Sequence, residues 1–187
     1  MPYSDFFGSG LALYAQIATL LAIAISTIAW RAVYIRIGIW KEFISLALFP
    51  LILWVILGTL DIAITTRCAY ANPLCEGNMD ARWFFGQFRF FGGALASIAW
   101  ISLWAAIMAA LMKYKNKFSN IIILTILYAL AFGHLLGFST WMTWLKPLAN
   151  IRYLIQPYQP APAIIAGAIL AIFHLFKSRT INNKWQR

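Results

Sequence analysis

Five stretches of this chain contain no Asp, Glu, Lys or Arg: Leu11–Trp30, Phe43–Leu60, Phe90–Met112, Phe118–Leu145 and Tyr153–Phe176. An α-helix rises about 1.5 Å per residue, so each stretch is near or above the roughly 18 to 20 apolar residues that cross a ~30 Å hydrocarbon core. Nothing else constrains the fold as strongly. Lipid offers the backbone no water, and a helix satisfies its own N–H and C=O groups internally. A transmembrane strand would alternate apolar and polar positions over about ten residues, whereas these runs are apolar throughout. The expected fold class is all-α: a polytopic integral membrane protein, a bundle of five transmembrane helices with a short interfacial segment between helices 2 and 3. The spans fall at about 11–30, 43–66, 90–112, 119–145 and 162–177, in one transmembrane domain over 1–187. Pro157, Pro160 and Pro162 hold the chain out of helix until about Pro162, so the last span is short and relies on Lys177 and Arg179 snorkelling to the interface.

Composition supports the same reading. Hydrophobic residues make up 63% and charged residues 11% of the 187, against about 25% charged in soluble domains. The net charge of +10 raises the question of nucleic acid, but the basic residues sit at helix ends. Arg31, Arg36, Lys41, Lys113, Lys115, Lys117, Lys177, Arg179, Lys184 and Arg187 fall on one side; Arg67, Arg82, Arg89, Lys146 and Arg152 fall on the other, with Asp5, Glu76 and Asp80. Short basic rims of this kind suit anionic headgroups rather than a nucleic acid, and no nucleic-acid partner is expected. The positive-inside rule places the N-terminus outside and the C-terminus in the cytoplasm of a multi-pass protein of the cell membrane. The opening MPYSDFFGSG lacks a basic n-region, so the first apolar run is expected to remain as a span.

Polar chemistry is concentrated in residues 59–90, which hold Asp61, Glu76, Asp80, Arg67, Arg82, Arg89, Cys68 and Cys75. Asp61 lies inside the outer end of the second span. A carboxylate at mid-bilayer costs roughly 2.5–3.5 kcal/mol on insertion scales and needs a partner or a water path. It is expected to pair with Arg67, Arg82 or Arg89; the alternative is a proton or cation site. Cys68 and Cys75 flank the turn-forming Ala71-Asn72-Pro73; on the outer side, facing an oxidising compartment, they are either a short-loop disulfide staple or two unpaired thiols. Beyond them, GNMDARWFFGQFRFF reads as an interfacial element in which Arg82 and Arg89, seven apart, share a helical face. Gly86 weakens that helix. Arg82, Trp83 and Arg89 could also contact a lipid, a quinone or an anion.

His134 and His174 are the only histidines. His134 falls near mid-membrane and His174 towards the cytoplasmic end of its span, so joint ligation of a haem is not expected; the reading preferred for His134 is a bond to a neighbouring backbone or hydroxyl group, with haem, pigment or metal ligation as the alternative. Small residues recur every fourth position at Ala163, Gly167 and Ala171, at Gly92 and Ala96, and at Gly93 and Ser97, which is the pattern of closely packed membrane helices. No hydrolase triad, H-E-x-x-H, Walker or dinucleotide-loop motif is found, so catalysis is not expected. The functional expectation is an accessory or assembly subunit that meets the lipid bilayer and other membrane subunits. The alternatives are a small transporter or ion-conducting protein using Asp61 and His134, and a haem- or quinone-binding anchor of a redox complex.

Overall fold

The computed structural model describes residues 10–69, 79–139 and 161–184. The helices are α1 (Gly10–Arg36), α2 (Trp40–Ala69), α3 (Met79–Phe88), α4 (Gly92–Met112), α5 (Lys117–Ser139) and α6 (Ala161–Lys184), with a 3₁₀ turn, Arg89–Phe91, between α3 and α4. Among the described residues there is no strand. Four segments are long and apolar enough to cross a membrane: Gly10–Arg36, Trp40–Ala69, Ala81–Met112 and Lys117–Ser139, with mean hydropathy of 2.0 to 2.4. The fifth, Ala161–Phe176, is apolar but shorter. The chain is an all-α membrane protein.

Local chemistry sets the helix ends. α1 runs past the expected end at 30 to Arg36, because a cation in the last turn complements the helix dipole. It is closed by Gly38, whose φ of +78 favours glycine and whose N–H donates to the Ile35 carbonyl. α2 extends the expected 43–66 at both ends and carries Pro50 within it, fully buried. α5 is capped by Asn116, whose Oδ1 accepts the Ser119 N–H at 2.7 Å. Of the expected span 119–145, residues 140–145 lie outside the described residues.

One expectation about the third span needs correction. α3 runs through Gly86, whose cost of about 1 kcal/mol weakens a helix without ending it. The helix stops at Phe88, and Arg89 follows with a φ of +40. A left-handed residue ends an α-helix, so Arg82 and Arg89 do not share a helical face. The turn then brings Gly92 onto the backbone of α3: a Cβ on Gly92 would lie 2.6 Å from the Phe85 Cα and 2.9 Å from the Phe84 carbonyl oxygen. Only glycine fits that approach.

The chain divides into two compact units, one of Met1–Gly38 with Thr59–Ile107 and one of Ile39–Gly58 with Met108–Arg187. In the first, α1 buries a stripe of small side chains, Ala12, Ala15, Thr19, Ala22 and Ser26, at the three- and four-residue spacing of one helix face. From α4 this unit buries Gly93, Ala94, Ala96 and Ser97. Lipid tails are as apolar as leucine, so helix association relies on close packing and interhelical hydrogen bonds. Both are present. Gln16 Nε2 donates to the Ala63 carbonyl at 3.0 Å, Trp30 Nε1 to Ser102 Oγ at 3.2 Å and Tyr34 OH to the Ala105 carbonyl at 2.7 Å. Trp30 and Tyr34, one turn apart on α1, also meet edge to face at 6.3 Å.

In the second unit α5 and α6 pack against each other. Leu124, Tyr128 and Ala171 form a buried cluster, joined by Leu46, Leu53 and Leu175. The helices approach at Gly167, where a Cβ would fall 2.5 Å from the Thr125 carbonyl oxygen and 2.8 Å from the Ala129 nitrogen. Of the predicted stripe on the last helix, Gly167 and Ala171 are buried and Ala163 is half-buried.

Candidate functional site

The final turns of α2 gather polar chemistry in the first unit. Asp61 is half-buried, roughly two turns before the end of the helix. Thr65, Thr66 and Cys68 are buried beyond it. Neither Asp61 nor Arg67 nor Arg82 stands without a partner. Cys68 is disulfide-bonded; Cys75, its candidate partner, lies outside the described residues.

Around this end of α2 the neighbouring helices supply hydroxyls and glycine. Thr19 Oγ1 donates to the Ala15 carbonyl at 2.9 Å and Ser97 Oγ to the Gly93 carbonyl at 2.8 Å, each hydroxyl turning back onto its own helix as hydroxyls in apolar surroundings do. A Cβ on Gly93 would stand 2.6 Å from both Thr19 Oγ1 and Thr66 Oγ1. Both threonines are fully buried, and Thr66 Oγ1 has no hydrogen-bond partner. The bare Cα of Gly93 therefore faces two hydroxyl oxygens, the setting in which weak Cα–H···O contacts form between membrane helices. Sequence reading marked Asp61 and the arginines but missed Gln16, Thr19, Thr66 and Tyr34. The signal for Thr19 was its place in the stripe from Ala12 to Ser26; Gln16 and Tyr34 carried none beyond polarity.

The candidate contact residues around α3 are placed differently from one another. Arg82 is half-buried, whereas Trp83 and Arg89 are exposed. Trp83 meets Phe84 at 5.1 Å and Phe88 at 5.8 Å, both edge to face. Part of the aromatic bulk of α3 thus packs upon itself.

His134 belongs to the second unit and Asp61 to the first. The imidazole of His134 lies against α2 at Gly58, with Cδ2 and Nε2 3.3 and 3.4 Å from the point a Cβ would occupy. Glycine makes that seat, since a Cβ at position 58 would crowd the ring. His134 has a partner. His174 does not join it; its Nδ1 is hydrogen-bonded to Tyr128 OH at 2.8 Å, a polar clasp between α5 and α6. Among the described residues no group of three His, Cys, Asp or Glu is placed to hold a metal ion.

At the other end of α2 the second unit holds a cleft that sequence reading did not anticipate. It measures about 290 Å³ and is lined by Glu42, Leu46, Met112, Lys115 and Asn120. Lys115 Nζ donates to Glu42 Oε1 at 2.9 Å across it. Comparison with known proteins adds nothing to these observations: no family model, curated protein or solved structure matches the chain.

Proposed function

We propose that the chain is an accessory or assembly subunit of a larger complex in the cell membrane, with its N-terminus outside and its C-terminus in the cytoplasm. The observation that carries this reading is how polar side chains at membrane depth are used. Gln16, Trp30, Tyr34 and Tyr128 each spend their hydrogen bond fastening one helix to another. Bonds of this kind hold membrane helices together within each unit. Large apolar side chains such as Leu21, Ile25 and Ile28 on α1 and Ile165, Ile169 and Phe173 on α6 are exposed, ready to meet lipid or the helices of other subunits. Ten basic residues on one side against five on the other support the orientation.

Extraction in a mild detergent, followed by mass identification of co-purifying chains, tests the proposal. A stoichiometric set of membrane partners is expected; an isolated, monodisperse chain would overturn it. Asp61, half-buried within α2, supports a second reading as a transporter. The two separate on Asp61→Asn: a subunit in which Asp61 is a structural ion-pair partner loses protein level, whereas a transporter keeps its level and loses flux.

A further inference from the structure

The cleft between the start of α2, the end of α4 and the start of α5 is built from two chemistries. Leu46 and Met112 give it an apolar wall, and Glu42, Lys115 and Asn120 give it a polar rim. Its surroundings mark a membrane surface. The link between α4 and α5 and the first residues of α5 combine three lysines, Lys113, Lys115 and Lys117, with Tyr114 and Phe118, and Tyr114 and Phe118 are 71% and 70% exposed, as interfacial anchors are. Trp40 stands at the first position of α2 and meets Phe43 at 6.5 Å.

Lys115 is held in an unusual way. Its φ is +44, a left-handed conformation that glycine adopts freely and a lysine does not. Backbone strain at such a residue persists where the surroundings hold it, and is often found at ligand contacts. The ammonium of this residue meets Glu42 Oε1 at 2.9 Å. The ion pair itself offers little to offset the strain, because the two side chains are 65% and 50% exposed and exposed pairs are weak. The pair is an opposed anion and cation at the mouth of an apolar-walled cleft.

We propose that this cleft binds the headgroup of a phosphoethanolamine phospholipid. Its phosphate takes Lys115, its primary ammonium donates to Glu42, Asn120 supplies a neutral donor and acceptor, and the first acyl carbons lie on Leu46 and Met112. A zwitterion entering between Glu42 and Lys115 leaves both charges partnered. A headgroup carrying only negative charge leaves Glu42 facing it, and a choline headgroup has no N–H to give.

The test uses the full chain, purified, delipidated and supplied in turn with phosphatidylethanolamine, phosphatidylcholine or phosphatidylglycerol of the same acyl chains, with retained lipid counted by native mass spectrometry. Wild type is expected to retain phosphatidylethanolamine several-fold over both others. Glu42→Gln is expected to bring it down to the phosphatidylcholine level, and Lys115→Gln to lower retention of all three. Exchanging the two charges, Glu42→Lys with Lys115→Glu, keeps an ion pair and the fold, as read by helicity and thermal unfolding, yet abolishes the preference. Equal retention of the three lipids by wild type, stronger retention of phosphatidylglycerol, or a preference that survives the exchange would overturn the proposal. So would an equal loss on Lys113→Gln, which removes a nearby exposed cation that does not line the cleft.

Discussion

Gly93 and Gly167 each let a helix approach its neighbours more closely than any side chain would permit, but they meet different obstacles. Gly93, in the first unit, faces side chains: Thr19 Oγ1 and Thr66 Oγ1, with the Thr66 Cγ2 methyl at 3.1 Å. Gly167, in the second, faces main chain: the Thr125 carbonyl oxygen and the Ala129 nitrogen. A side chain can rotate or be truncated, whereas helix backbone is fixed by its own hydrogen bonds. The first contact is therefore negotiable and the second is not. The same contrast runs through the rest of each unit. In the first, hydroxyls, an indole and an amide tie the helices together; in the second, an apolar cluster and one polar clasp do so.

The largest effect is expected at Gly167. Overpacking a membrane core costs typically about 1–3 kcal/mol, and Gly167→Ala should fall at the upper end because both nearest atoms are backbone. Thermal unfolding in detergent, followed by circular dichroism, measures it. Ala129→Gly removes the Ala129 Cβ, 3.0 Å from the same point, and should recover little, since the Thr125 oxygen remains. A full rescue would show that α5 yields after all.

Gly93→Ala comes next, at about 1–2 kcal/mol. Here truncation should work: in a background of Thr19→Ala with Thr66→Ala, the cost of Gly93→Ala is expected to fall within the error of the measurement. Thr66→Val is a sharper companion. It exchanges a buried, unpartnered hydroxyl for a methyl of similar size, and such exchanges are neutral or stabilising. Marked destabilisation would instead reveal a hydrogen bond to the hydroxyl.

The smallest effects belong to single hydrogen bonds between helices, which in membrane proteins average about 0.6 kcal/mol. Tyr34→Phe and Tyr128→Phe should each cost about that much. Only the second should couple to a partner side chain, so a double-mutant cycle of Tyr128→Phe with His174→Ala is expected to be non-additive. Additivity there would break the view of Tyr128 and His174 as a clasp.

Part of the polar chemistry was legible because it is rare. Asp61, Arg67 and Cys68 stand out against an apolar background, and a charge in lipid must be answered by something. Gln16, Thr19, Thr66 and Tyr34 did not stand out, because single hydroxyls and amides are common in membrane helices and carry no charge that must be answered. His134 was legible as a residue, but its seat at Gly58 was not. The cleft of Glu42 and Lys115 was hidden for another reason: its charges are 73 residues apart, and each alone reads as an ordinary cap on a span. Arg89 shows the limit of periodicity, since a seven-residue spacing implies a shared face only while the helix continues, and one left-handed residue ends it.

The sequence by itself determined the number and rough placement of the apolar helices, because backbone in lipid has only its own groups to bond and a charge-free run of sufficient length leaves no alternative. It did not determine which faces meet. In water a buried face is written as an apolar stripe against polar surroundings, but in a membrane the lipid-facing and helix-facing sides are equally apolar and the stripe disappears. Contact then depends on shape at single positions: a glycine opposite a threonine pair, a glycine opposite a carbonyl, a tyrosine long enough to reach the next helix. Those matches exist only once the helices are side by side, and the tertiary structure alone decided them.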